Sequence, residues 1–178
     1  MLWELLAKMV ISDIHDYIMK HKLFTIRPTT DPDMFDRFAA MMAASDPWWT
    51  LGMDADACRA GFDGPYKEVF IAYRDEVVTG FAILQTGGTF SGYIQTLFVL
   101  QPFRRQGFGK ELLRFCEDYI HQTSPNIFIC VSGFNTRALQ LYQEVGFTLI
   151  GTLKDFLVPG FDELLLRKTI GPKNGYKR

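Results

Sequence analysis

Val99-Leu100-Gln101-Pro102-Phe103-Arg104-Arg105-Gln106-Gly107-Phe108-Gly109-Lys110 is the stretch on which the reading of this chain turns. It passes from an apolar run through basic and glycine residues into a segment whose apolar positions Phe108, Leu112, Phe115, Cys116 and Tyr119 fall on one helical face. The pattern predicts a strand, a tight corner and the start of a helix. A helix start leaves about four backbone N–H groups without partners and carries roughly half a positive charge, so a polyanion docked there satisfies donors that otherwise need water. Gly107 and Gly109 let such a ligand approach the backbone, and Arg104, Arg105 and Lys110 supply positive charge. A nucleotide-hydrolysing loop would read G-x-x-x-x-G-K-[ST] and a dinucleotide fingerprint G-x-G-x-x-G; neither is written here.

What stands instead, Arg104-x-x-Gly107-x-Gly109, resembles the acetyl-CoA signature (R/Q-x-x-G-x-G/A) of the GCN5-related N-acetyltransferase (GNAT) family. A second segment, from Asn126 to Phe147, looks like that family's next strand, an asparagine (Asn135) opening a helix, a tyrosine (Tyr142) seven residues on, and a closing Gly146-Phe147. With both motifs in order, the resemblance covers roughly Phe24 to Ile170 and implies an α/β (α+β) fold. Its sheet would be mixed, largely antiparallel and six- to seven-stranded, with helices on both faces and a central splay between two parallel strands. The resemblance also implies acetyl-CoA as co-substrate. Backbone groups of Leu97, Phe98 and Val99 would hold the pantetheine arm, and backbone amides of Arg105, Gln106, Gly107, Phe108, Gly109 and Lys110 the pyrophosphate. Asn135 would help hold the arm, and Tyr142 would act as general acid to the departing thiolate. Independently of family, Asn135 suits a helix N-cap, and Tyr142 lies two turns on, on the same face.

Composition sets the frame around these motifs. The 178 residues are 48% hydrophobic and 22% charged, which suits a single domain, with the acetyltransferase unit at 24–170 and a short tail at 171–178. A formal net charge of −1 gives no general basic field for nucleic acid. Cys58, Cys116 and Cys130 are far apart, with no C-x-x-C pair, and read as buried free thiols of a reducing compartment, hence a cytoplasmic protein. No histidine pairs with a cysteine or carboxylate at metal-ligand spacing, so no metal is expected. Residues 1–23 lie outside the resemblance and read as an amphipathic helical extension, too interrupted by charge to span a bilayer. A homodimer is the default oligomer.

Along the rest of the chain, Phe24 to Pro28, Glu68 to Arg74, Val77 to Thr86, Tyr93 to Leu100 and Asn126 to Val131 read as strands. Thr148 to Leu157 and Asp162 to Ile170 form a closing pair joined by a turn at Val158-Pro159-Gly160-Phe161. Asp31 to Ala44, Asp54 to Gly61, Gly107 to Gln122 and Asn135 to Val145 read as helices.

The acceptor side carries less information. Several relatives place a glutamate on the strand leading to the pyrophosphate loop or on the strand before the second helix. Here those strands read Tyr93-Ile94-Gln95-Thr96 and Ile129-Cys130-Val131, without a carboxylate. Asp162 and Glu163 are the candidates for a general base, on a hairpin where acids are ordinarily solvated. Trp48, Trp49, Phe90 and Tyr93 are candidate walls for a small-molecule or peptide amine. The missing carboxylate keeps a second reading open, a non-catalytic acyl-CoA-binding module; a third is a scaffold for the N-terminal helix.

Overall fold

The computed structural model describes residues 24–177; the N-terminal helical extension expected over 1–23 lies outside the described residues. Seven strands form one sheet in the order β1-β2-β3-β4-β5-β7-β6. They are β1 (Phe24–Thr29), β2 (Lys67–Arg74), β3 (Val77–Gln85), β4 (Tyr93–Val99), β5 (Asn126–Ser132), β6 (Thr148–Leu153) and β7 (Glu163–Thr169). Every neighbouring pair is antiparallel except β4 with β5.

The helices begin where the local chemistry predicts. In α1 (Pro32–Ala43) the Asp31 side chain accepts the Asp33 amide at 3.0 Å, with proline in the first turn, where its missing N–H costs nothing. Asp54 caps α2 (Ala55–Ala60) by accepting the Ala57 amide at 2.8 Å. Phe35, Phe38, Ala39 and Met42 repeat at helical spacing and turn α1 onto one face of the sheet, where they pack with Phe62, Phe81 and Phe98. On the other face, α3 (Phe108–Ile120) and α4 (Thr136–Glu144) cover Leu84, Ile94, Ile127, Ile129 and Leu166. The sheet is therefore clad on both sides, as a mixed sheet with apolar residues on both faces requires.

Two local departures from regular pairing shape the site. At Gly80 a Cβ would stand 2.3 Å from the Phe98 carbonyl oxygen, so β3 and β4 approach more closely than any side chain allows. Between Ile83 and Leu84 the register with β4 shifts by one, leaving Gln95 as a bulged residue. A bulge bends and twists its strand. Beyond it β4 turns away from β5, and the parallel pairing is limited to Tyr93 with Phe128 and Ile94 with Ile129.

The closing pair is shorter than expected. β6 stops at Leu153, and the connection to β7 runs over residues 154–162, because Asp155 takes a positive φ of 50° and its Oδ1 accepts the Gly160 amide at 2.6 Å. The tail is tied down: the Tyr176 hydroxyl donates to the His121 carbonyl at 2.6 Å. No helix among the described residues is long and apolar enough to cross a membrane.

Candidate active site

Where β4 and β5 part, a cleft of about 1480 Å³ runs between the sheet halves from the β4–α3 corner to the β6–β7 connection. Leu97, Phe98 and Val99 line it along the edge of β4 that has no strand beside it. The corner closes through side chains as well as backbone. Arg104 Nε donates to the Val99 carbonyl at 2.9 Å, and its guanidinium lies 5.7 Å from the centroid of the Phe98 ring. Arg104 thus anchors the corner, and Arg105 stands exposed beside it at a φ of 66°.

Gly107 is the N-cap of α3, with a φ of 91° and no capping side chain. Its carbonyl accepts the amides of Lys110 (2.9 Å) and Glu111 (3.1 Å). The Lys110 amide, counted in the pyrophosphate set from sequence, is therefore spent inside the helix. Those of Arg105, Gln106, Gly107, Phe108 and Gly109 donate to no acceptor among the described residues. Two side chains of the set also turn away. Gln106 Nε2 donates to the Pro102 carbonyl at 2.7 Å, and Phe108 is buried against Phe24 and Phe103. Lys110 pairs with Glu144 at 2.9 Å on the rim. A Cβ on Gly107 would meet no atom within 4 Å, so the position is demanding through its backbone conformation alone. A Gly107→Val protein is expected to bind CoA at least about tenfold more weakly, because a branched residue resists positive φ at a cost of about 1–3 kcal/mol and re-aims the free amides. Calorimetric titration with CoA checks this; unchanged affinity would remove the corner from the binding site.

α4 brings two further residues to the cleft. Asn135 is its N-cap, its Oδ1 accepting the Ala138 amide at 3.2 Å, and it lines the cleft beside Arg137, which the sequence reading passed over. Tyr142 is 6% exposed and lines the cleft. Burial, with a smaller contribution from Cys116, pushes its pKa up.

At the opposite end, of the four candidate wall residues Trp48, Phe90 and Tyr93 line the cleft and Trp49 does not. Successive helical-type bonds through the loop, among them Trp49 N to the Ser45 carbonyl at 3.0 Å, turn adjacent side chains to different sides; Trp49 is 72% exposed outside the cleft. The larger correction concerns the acids. Glu163 is not a solvated hairpin residue but is 4% exposed, directly opposite Ser132 in the β5–β7 register. Its Oε1 accepts the Ser132 hydroxyl at 2.5 Å. Burial raises its pKa, and the Ser132 hydrogen bond pulls the other way. Asp162, one residue earlier, is exposed and away from the cleft. A carboxylate missing from the cleft-facing residues of β4 and β5 is thus delivered by β7. Cys130 also differs from expectation. Alternation along β5 puts Ile127, Ile129 and Val131 in the core and Phe128, Cys130 and Ser132 on the cleft, so this thiol is half-buried beside Tyr93. Burial raises the pKa of both Tyr93 and Cys130, so the thiol is poorly nucleophilic. Among the described residues no group of three or more His, Cys, Asp or Glu side chains is placed to hold a metal ion.

Comparison with known proteins agrees with this geometry. Residues 31–147 match the acetyltransferase (GNAT) family. N-alpha-acetyltransferase 50 of Danio rerio is 36% identical over 66 residues, 36% of this chain and 39% of its own length, so the chain spans about two fifths of that curated relative. Among solved structures, Arabidopsis thaliana NAA60 in complex with a bisubstrate analogue superposes with a TM-score of 0.65 at 20% identity, covering 86% of this chain and all of that one. The Salmonella typhimurium protein yncA, solved with its cofactor acetyl-CoA, gives 0.65 at 16% identity over 87% of this chain and 98% of its own. Family match, strand order and the parted central strands converge: this chain is a member of the GNAT acetyltransferase family.

Proposed function

We propose that the protein transfers an acetyl group from acetyl-CoA to a primary amine by direct attack within a ternary complex. One observation carries this reading: a single cleft joins a cationic corner, lined by Arg105, Gly107 and Gly109 whose amides have no acceptor among the described residues, to Tyr142 and the buried Glu163. In the cleft, the amides of residues 105–109 and the Arg105 charge hold the pyrophosphate, and the free edge of β4 pairs with the pantetheine arm as an added strand. Structural relatives solved with acetyl-CoA support that cofactor.

In the transfer step the amine nitrogen forms a bond to the acetyl carbon as the carbon–sulfur bond breaks. The amine gives up a proton, and the thiolate gains one. Glu163 is the base: attack needs the neutral amine, which at pH 7 costs about 4.6 kcal/mol for a lysine-like amine and about 1.4 kcal/mol for an α-amine. A carboxylate raised by burial is better matched to that proton than an exposed one. Tyr142 attends the leaving group. With cysteine as a stand-in for the thiol, complete proton transfer from tyrosine is uphill by roughly 2 kcal/mol in water, and burial moves Tyr142 further that way. Its hydroxyl therefore stabilises the thiolate by hydrogen bonding ahead of full proton release.

Thiol release from acetyl-CoA over a panel of primary amines tests the reading. Saturable CoA uptake with no turnover of any amine would leave the protein a binding module.

A further inference from the structure

Charge within the cleft is segregated. Arg104, Arg105, Lys110 and Arg137 line the cofactor end, where Glu144 is committed to Lys110. Among the described residues two carboxylates line the remainder, and they differ in kind. Asp46 is exposed at the rim with its Oδ1 accepting the Thr50 hydroxyl at 2.6 Å, whereas Glu163 is buried on the floor. An ammonium group entering this end therefore meets one desolvated partner, and a second or third positive charge on the same molecule finds none of comparable strength.

Apolar surface lines the cleft as well, and part of it lies open. Phe90 (56% exposed), Phe134 (39%), Phe156 (57%) and Leu157 (50%) all line the cleft. Phe156 and Leu157 sit on the 154–162 connection, shaped by the Asp155 bond to the Gly160 amide. Phe90 is fixed edge-on to Phe128, ring centroids 5.2 Å apart, and Phe134 edge-on to Phe161 at 5.5 Å. Open apolar surface rimming a polar floor marks a ligand site, and covering it with a ligand's own apolar group releases free energy.

The geometry points to acceptors that carry a single primary amine a few bonds from a bulky apolar group, with discrimination against polycationic amines. This rests on the acetyl-transfer reading. Two sources present such chemistry, a free arylalkylamine and a peptide N-terminus whose first residue is large and apolar, and the test separates them.

The intact protein is assayed for thiol release from acetyl-CoA with phenethylamine, with a peptide beginning in phenylalanine, and with spermidine, alongside calorimetric titration with CoA. The better of the first two is expected to exceed spermidine in kcat/KM by about tenfold or more, since roughly two buried methylenes suffice for that ratio. Turnover confined to the peptide assigns a protein N-terminus as the source; turnover confined to phenethylamine assigns a small metabolite. In a protein carrying Phe156→Asp and Leu157→Asp, two exposed positions, the preference is expected to shrink by a similar factor while CoA affinity is retained. Spermidine used as well as either apolar amine overturns the inference and leaves acetyl transfer standing. CoA uptake without turnover of any amine overturns both.

Discussion

Glu163→Gln is expected to lower kcat/KM by about 10²–10⁴, the range a positioned general base contributes, while CoA affinity stays near that of the unaltered protein. The wild-type profile is expected to rise with pH as the Glu163 carboxyl, lifted by burial, loses its proton, and the variant to lack that limb. The same lift decides the effect on stability. Folding favours the protonated form of a carboxyl whose folded pKa is raised, so the stability it contributes is present in acid and is lost as pH rises through the raised value. At neutral pH the buried charge is a burden that glutamine does not carry, and the amide oxygen still accepts from Ser132. The variant is therefore expected to melt no lower than wild type at pH 7 while being catalytically crippled. Full activity in the variant would remove Glu163 from the chemistry; equal loss of activity and of melting temperature would make it a structural residue.

Tyr142→Phe is expected to lower kcat by about 10–10³ with little change in KM or in CoA affinity, because the hydroxyl gains its partner only as charge develops on sulfur. The ring packs against Phe147, centroids 6.1 Å apart, a contact that phenylalanine keeps. The substitution keeps the buried ring and its packing, so thermal stability should hold. Steady-state kinetics with thermal melts checks both halves, and an unchanged kcat would exclude Tyr142 from the mechanism.

What could be read in the sequence was what local chemistry decides. Asp31, Asp54 and Asn135 cap the helices they precede, and Arg104-x-x-Gly107-x-Gly109 sits on the corner that its composition requires. Positions set by distant pairing were hidden. Glu163 is buried because β7 lies against β5, aligning it with Ser132 thirty-one residues earlier, and nothing in Asp162-Glu163 itself tells which acid faces inward. Trp48 and Trp49 are parted in the same way by the turns of their loop. The bulge at Gln95 leaves no compositional mark, since a glutamine in a strand reads as an ordinary polar position. Along the corner, motif spacing assigns positions but not directions: the side chains of Gln106 and Phe108 turn away, one to the Pro102 carbonyl and the other into the interior.

The seam between β4 and β5, held by two residue pairs, has a mechanical consequence. The sheet is two halves joined at Tyr93 with Phe128 and Ile94 with Ile129, and on the proposed reading a coenzyme in the gap would supply the rungs that the chain leaves out. Saturating CoA should then slow amide hydrogen exchange most along residues 95–99, and should raise the melting temperature with the logarithm of its concentration, as a ligand selective for the folded state does. Such a result would make the cosubstrate a removable strand of the protein's own architecture.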